Sequence, residues 1–138
     1  MVDEAIVYVD RSAIRPGKGD ALVAALTDLA AFIDENEPQI VAYQVHIDAA
    51  RSTISVVHIH RDAASLDRHL TVAGPQFPKF ADLVDLQSID VYGTPSDAAI
   101  AALRRKAEML GDARVSIHPR AVGFARLAEG TLVSPGST

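Results

Sequence analysis

The sequence predicts an α+β domain: an antiparallel sheet with both connecting helices on one face, followed by a C-terminal helix and a short extended segment. Three observations carry this prediction. Runs of β-forming residues and stretches of helical period follow one another in the order β-α-β-β-α-β. The two middle strands are separated only by "AARS", which suits a hairpin. A chain of 138 residues is the length of one domain and buries roughly 70% of its unfolded surface. The order is that of the ferredoxin-like fold.

The first strand is "AIVYVDRSAI" (5–14), stopped by "RPGKGD", where Pro16 and Gly17 supply turn chemistry. Residues 20–36 then follow a helical period, with Leu22, Leu26, Leu29 and Ile33 as the stripe and Asp20 as the expected cap. Glu37-Pro38 ends this helix, because the residue before proline disfavours helical geometry. "IVAYQVHID" (40–48) and "TISVVHIHR" (53–61) form the hairpin. Asp62 caps a helix through "AASLDRHLTV", and Gly74-Pro75 interrupts it. A short helical piece, "FPKFADLV", precedes the fourth strand (86–92). Ser96 caps a last helix whose stripe is Ile100, Leu103, Ala107 and Leu110, and Gly111 ends it. "RVSIHPRAVGFARL" reads as short extended pieces broken at Pro119, with His118-Pro119 as a turn. The organisation expected is a domain over 1–95, an appendage over 96–127 and a flexible tail over 128–138.

Composition excludes several classes. The formal charge of −5 argues against nucleic acid as a partner. The basic cluster "RRK" (104–106) lies in a helical pattern and reads as a solvated face. With Cys 0 there is no disulfide, thiolate chemistry or cysteine-bound metal. No segment reaches the ~18 apolar residues of a membrane span. The acidic opening "MVDEAIVYVD" is unlike a signal peptide, so a cytoplasmic location is expected. Four apolar strands with helices on one face leave the other face uncovered, so a homodimer is expected.

Residues 5–92 resemble the antibiotic biosynthesis monooxygenase (ABM) family of the dimeric α/β-barrel superfamily. The likeness rests on four pieces in register: "IVYVDRSAIRPGKGDALVAAL", "NEPQIVAYQV" (with Gln39 where the family has glycine), "VVHIHRDAASLDRHL" and "FPKFADLVDLQSIDVYGTP". Asp62, Ala63, Ala64 and His69 fit the family's habit of opening the second helix with acidic and small residues and placing a histidine about two turns later. The resemblance implies a homodimer with a small-molecule pocket between sheet and helices in each subunit. It also implies, in some members, oxidation of aromatic, quinol-type substrates by O₂ with no cofactor. The haem-degrading pattern of Asn, Trp and a later His is not met: the chain has Trp 0, and Asp10 and His69 stand nearest those positions.

Strand alternation places Tyr43 opposite His58 and Val41 opposite His60, all on one sheet face, and His46 on the other. The resemblance implies that His58 and His60 point into the pocket, where Tyr8 and Asp10 of strand one join them. The pocket set is then Tyr8, Asp10, Tyr43, His58, His60 and His69, and Phe77 and Phe80 close the core, with Phe77 beside the substrate. Histidines suit proton abstraction from a phenol or enol near neutral pH. His69 is the expected base, with His58 and His60 as further catalytic groups; Tyr8, Asp10, Tyr43 and Phe77 bind substrate. Two other readings stand beside this one. The domain binds a small molecule or assembles without catalysis, or His58, His60 and His69, with Asp10 as the one evident carboxylate, hold a metal. For His69 the bland alternative is a hydrogen bond to a sheet backbone or to Asp10.

Overall fold

The computed structural model describes residues 4–127. Its elements are β1 (Ile6–Ile14), α1 (Gly19–Asn36), β2 (Ile40–Ile47), β3 (Thr53–His60), α2 (Ala63–Ala73), a 3₁₀ segment (Gly74–Phe80), β4 (Val84–Tyr92), α3 (Asp97–Leu110) and β5 (Arg114–His118). The sheet order is β2-β3-β1-β4-β5. The first four strands pair antiparallel, and β5 adds in parallel to β4. This is the α+β ferredoxin-like arrangement expected from the sequence, extended by the C-terminal helix and strand. The expected tail (128–138) lies outside the described residues. No described helix is long and apolar enough to cross a membrane.

Apolar periodicity explains the layers. Leu22, Leu26, Leu29 and Ile33 form the buried stripe of α1, facing a sheet surface built by Ile6, Tyr8, Ile54, Val56, Leu86, Ile89 and Val91. Asp62 accepts a bond from the Ser65 amide at 2.9 Å and Ser96 one from the Ala99 amide at 3.0 Å, so both expected caps form. At α1 the cap position belongs to Lys18, without a side-chain bond, and Asp20 lies in the first turn instead. The hairpin turn is held by Asp48, whose carboxylate accepts from the Ser52 and Thr53 amides at 2.8 and 3.0 Å. Those bonds stabilise the anion and lower its pKa to about 2.

The hairpin register sets Tyr43 opposite His58, as alternation requires. Beyond it an irregularity between Ile40 and Ala42 puts Ile40, not Val41, opposite His60. Val41 is exposed as a result, since an extra residue in one strand changes which side chains face inward.

Helix α3 packs on the same core: Ala99, Leu103, Ala107 and Leu110 are buried. Its end is fixed by Gly111, which has φ 156°; a Cβ there would stand 2.5 Å from the Leu86 amide nitrogen. Lys106 is also buried, so the "RRK" cluster is not one solvated face. Arg104 and Arg105 point to solvent, and Lys106 turns inward between Leu103 and Leu110.

Candidate active site

The inner sheet face carries a polar group in an otherwise apolar layer. β1 supplies Tyr8 and Asp10, and β3 supplies His58 and His60, because these positions alternate inward with Ile6, Ser12, Ile54 and Val56. α2 brings His69 down onto them from its buried side, next to Leu66 and Ala73. The rings meet closely. His58 stacks on Tyr8 with centroids 3.8 Å apart, and His69 lies 5.1 Å from His58 and 5.4 Å from His60. Tyr43 stands edge-on to His58 at 5.1 Å. The three histidines of the strand-helix stretch do converge.

Two residues complete the site that the sequence reading did not include. Glu37, the last residue before Pro38, is 1% exposed, and its two carboxylate oxygens receive His69 Nδ1 at 2.9 and 3.1 Å. A carboxylate only accepts, so Nδ1 carries the hydrogen. His69 therefore bonds to neither a sheet backbone nor Asp10, and Asp10 is not the only carboxylate of the site. The second residue is Lys106, whose ammonium donates to the Tyr8 hydroxyl and, at 3.0 Å, to Asp10 Oδ2. It also lies 4.3 Å from the centre of the Phe77 ring. Asp10 in turn is 3.4 Å from His58 Nε2.

Burial sets the protonation of this group. Loss of hydration and the positive charges of His69, Lys106 and His60 hold the His58 pKa well below the usual histidine value. His60 is lowered to about 3, by burial first and by His69 second. Burial, reinforced by the Asp10 charge, raises Tyr8, and the same causes lead in raising Tyr43. Both phenols stay protonated.

Among the described residues three buried side-chain nitrogens have no hydrogen-bond partner: His58 Nδ1, His60 Nε2 and His69 Nε2. His60 makes one contact, 2.7 Å from Ser65 Oγ. Among the described residues no three His, Asp or Glu side chains are arranged to hold a metal ion.

A cavity of about 50 Å³ lies between the sheet and the helices. Asp10, Tyr43, His58, His69, Phe77 and Lys106 form its polar and aromatic wall, with leucines of α1 closing the other side. His60 and Tyr8 do not line it; they stand behind His69 and His58. This volume holds a few waters, since one needs roughly 10–15 Å³, and is smaller than the roughly 300 Å³ lower bound of ligand sites. Two outer grooves, of about 460 and 310 Å³, run along α1 and β2. Tyr43 lines both grooves and the inner cavity. Tyr43 is thus common to the inner cavity and to space large enough for an aromatic molecule.

No family model matches the sequence, and no curated protein matches it significantly. Solved structures do match the fold. MupZ from Pseudomonas fluorescens superposes with a TM-score of 0.67 at 14% identity, over 90% of this chain and 96% of its own. SnoaB, a cofactor-independent oxygenase from Streptomyces nogalater, gives 0.57 at 15% identity, over 69% of this chain and 96% of its own. A Chloroflexus aurantiacus protein provisionally named an antibiotic biosynthesis monooxygenase gives 0.54 at 18% identity, over 64% of this chain and 90% of its own. The chain thus has the fold of the ABM-like proteins, the resemblance its sequence motifs carry.

Proposed function

We propose that this chain, an ABM-type fold with a buried Glu37–His69 pair, is a homodimeric monooxygenase that oxidises a small aromatic, quinol-type molecule with O₂ and no cofactor. The observation that carries the reading is the pair itself. Glu37 fixes the Nδ1–H tautomer of His69, and the unpartnered Nε2 belongs to a residue of the cavity wall. An imidazole held this way suits general-base work on a phenolic or enolic proton.

His69 Nε2 takes the substrate O–H proton, and Glu37 compensates the imidazolium. The electron-rich anion passes one electron to O₂, the two radicals combine with formation of a C–O bond, and the His69 imidazolium returns its proton to the peroxide. Loss of water from the resulting hydroperoxide leaves one oxygen atom in the quinone product and places the other in water. Tyr43 and Lys106 are donors in the same wall for developing negative charge. Phe77 packs against the ring, and His58, neutral and stacked on Tyr8, is an acceptor beside it. His60 positions His69 by packing rather than by touching substrate.

The support for the dimer is the outer sheet face, where Val7, Val9, Val57 and Ile59 are only half-buried and His46 is exposed. Sedimentation should give twice the mass of the 14.7 kDa chain; a monomer at micromolar concentration contradicts it.

The charge content of the site favours a second reading, acid–base chemistry without O₂. A carboxylate-held imidazole and an ammonium lie in one cavity wall, a donor and acceptor set that also serves enolisation or addition. Incubation of substrate panels with and without O₂ separates the two. Turnover that persists anaerobically replaces the oxygenase reading.

A further inference from the structure

We propose that Lys106, carried by α3, receives the ionised oxygen of the substrate, so that the site selects a phenol or enol and holds it as its anion. The inference rests on the pocket reading above and extends it to the substrate's charge state.

A lysine that is 8% exposed within a core is costly unless its ammonium is fully engaged. Lys106 is engaged on every side: Tyr8 Oη and Asp10 Oδ2 accept two of its N–H groups, and the Phe77 ring takes the remaining side at 4.3 Å. The contact to an aromatic face is the weakest of the three. An oxyanion in the cavity, which Lys106 and Phe77 both line and which must widen beyond its about 50 Å³ to admit the ring, replaces that contact with a charge-assisted hydrogen bond and keeps the other two.

The other end of the site completes the argument. Proton transfer from substrate to His69 creates two charges in a buried place, and each meets a counter-ion. The imidazolium meets Glu37, and the oxyanion meets Lys106. Tyr8 and Phe77 each lie near both groups: His69 is 6.3 Å from the Tyr8 ring centre and 6.5 Å from that of Phe77.

Lys106 also lies on α3, beyond the β-α-β-β-α-β unit. SnoaB is matched over 96% of its own length yet covers only 69% of this chain. The added helix gives the pocket a cation that the β-α-β-β-α-β unit does not itself carry there.

The probe is 4-nitrophenol, whose phenolate absorbs visible light, titrated against pH under nitrogen with full-length protein. The wild type is expected to bind phenolate at least 10-fold tighter than phenol, moving the bound probe's ionisation at least one pH unit down. Lys106→Arg keeps the preference and Lys106→Met abolishes it. Because Lys106→Met leaves Asp10 buried and unpaired, the Asp10→Asn/Lys106→Met double variant is measured beside it and also lacks the preference. Absence of binding, absence of preference in the wild type, or its survival in the double variant overturns the assignment. Oxygen uptake on quinols is scored separately. Preference for phenolate without uptake leaves Lys106 assigned and removes the oxygenase reading; uptake without preference does the reverse.

Discussion

Both carboxylate oxygens of Glu37 receive Nδ1 of His69, at 2.9 and 3.1 Å, and neither side chain is exposed. The pair joins the end of α1 to the middle of α2 across the top of the sheet, and it decides which nitrogen of His69 is free.

Substituting Glu37→Gln keeps an acceptor for Nδ1–H but removes the charge that compensates the imidazolium. The rate of substrate oxidation should fall by about 100-fold or more, the usual worth of positioned acid–base catalysis. Steady-state kinetics should show the loss in kcat, with KM little changed.

Acid should weaken the fold well before carboxylates titrate. His58 and His60 are neutral in the folded state with pKa values held below 6.5, in the case of His60 at about 3. The unfolded chain binds their protons from pH ~6.5 downward and the native state does not, so stability falls as pH falls through that window. The slope is up to about 1.4 kcal/mol per pH unit for each histidine. Urea unfolding at pH 7, 6 and 5 measures it, and His60→Leu should flatten the slope.

Removing Lys106 alone should cost about 3–5 kcal/mol, because Asp10 then remains buried without its ammonium. Asp10→Asn/Lys106→Met should recover much of that loss. Equal midpoints for the single and double variants in chemical denaturation would show that the ion pair is not coupled.

Tyr43→Ala should widen the passage between the inner cavity and the grooves of about 460 and 310 Å³ that Tyr43 also lines. Binding of a bulky naphthol should then tighten and its on-rate should rise, read by stopped-flow fluorescence quenching. A slower on-rate would place the entrance elsewhere.

Gly111→Ala tests whether the seat of the α3 C-terminus matters to Lys106, which lies on the same helix. The added Cβ would meet the Leu86 and Asp85 atoms at 2.5 and 2.6 Å, at a φ that disfavours side chains. Thermal stability should drop by several degrees, and phenolate binding should weaken as Lys106 shifts.

The strands and helices were legible because each apolar run keeps one period, and the hairpin register because a four-residue loop leaves Tyr43 one partner. The same alternation placed Tyr8, Asp10, His58 and His60 on one face. Val41 was misplaced because a strand irregularity leaves no signature in "QIVAY". Glu37 was hidden in its local role: Glu-Pro reads as a helix terminator, and its partner is 32 residues away. The inward position of Lys106 is readable in the sequence. It stands three residues after Leu103 and four before Leu110, on the buried stripe, but its arginine neighbours made the triplet look like one charged surface.

Oxygen consumption by the purified protein over a panel of quinols and hydroxynaphthalenes, repeated with His69→Gln and Glu37→Gln, tests the central claim most directly. The account predicts uptake of one O₂ per quinone formed by the wild type and a loss of about 100-fold or more in both variants. No uptake with any member of the panel, or uptake that both variants retain, contradicts it.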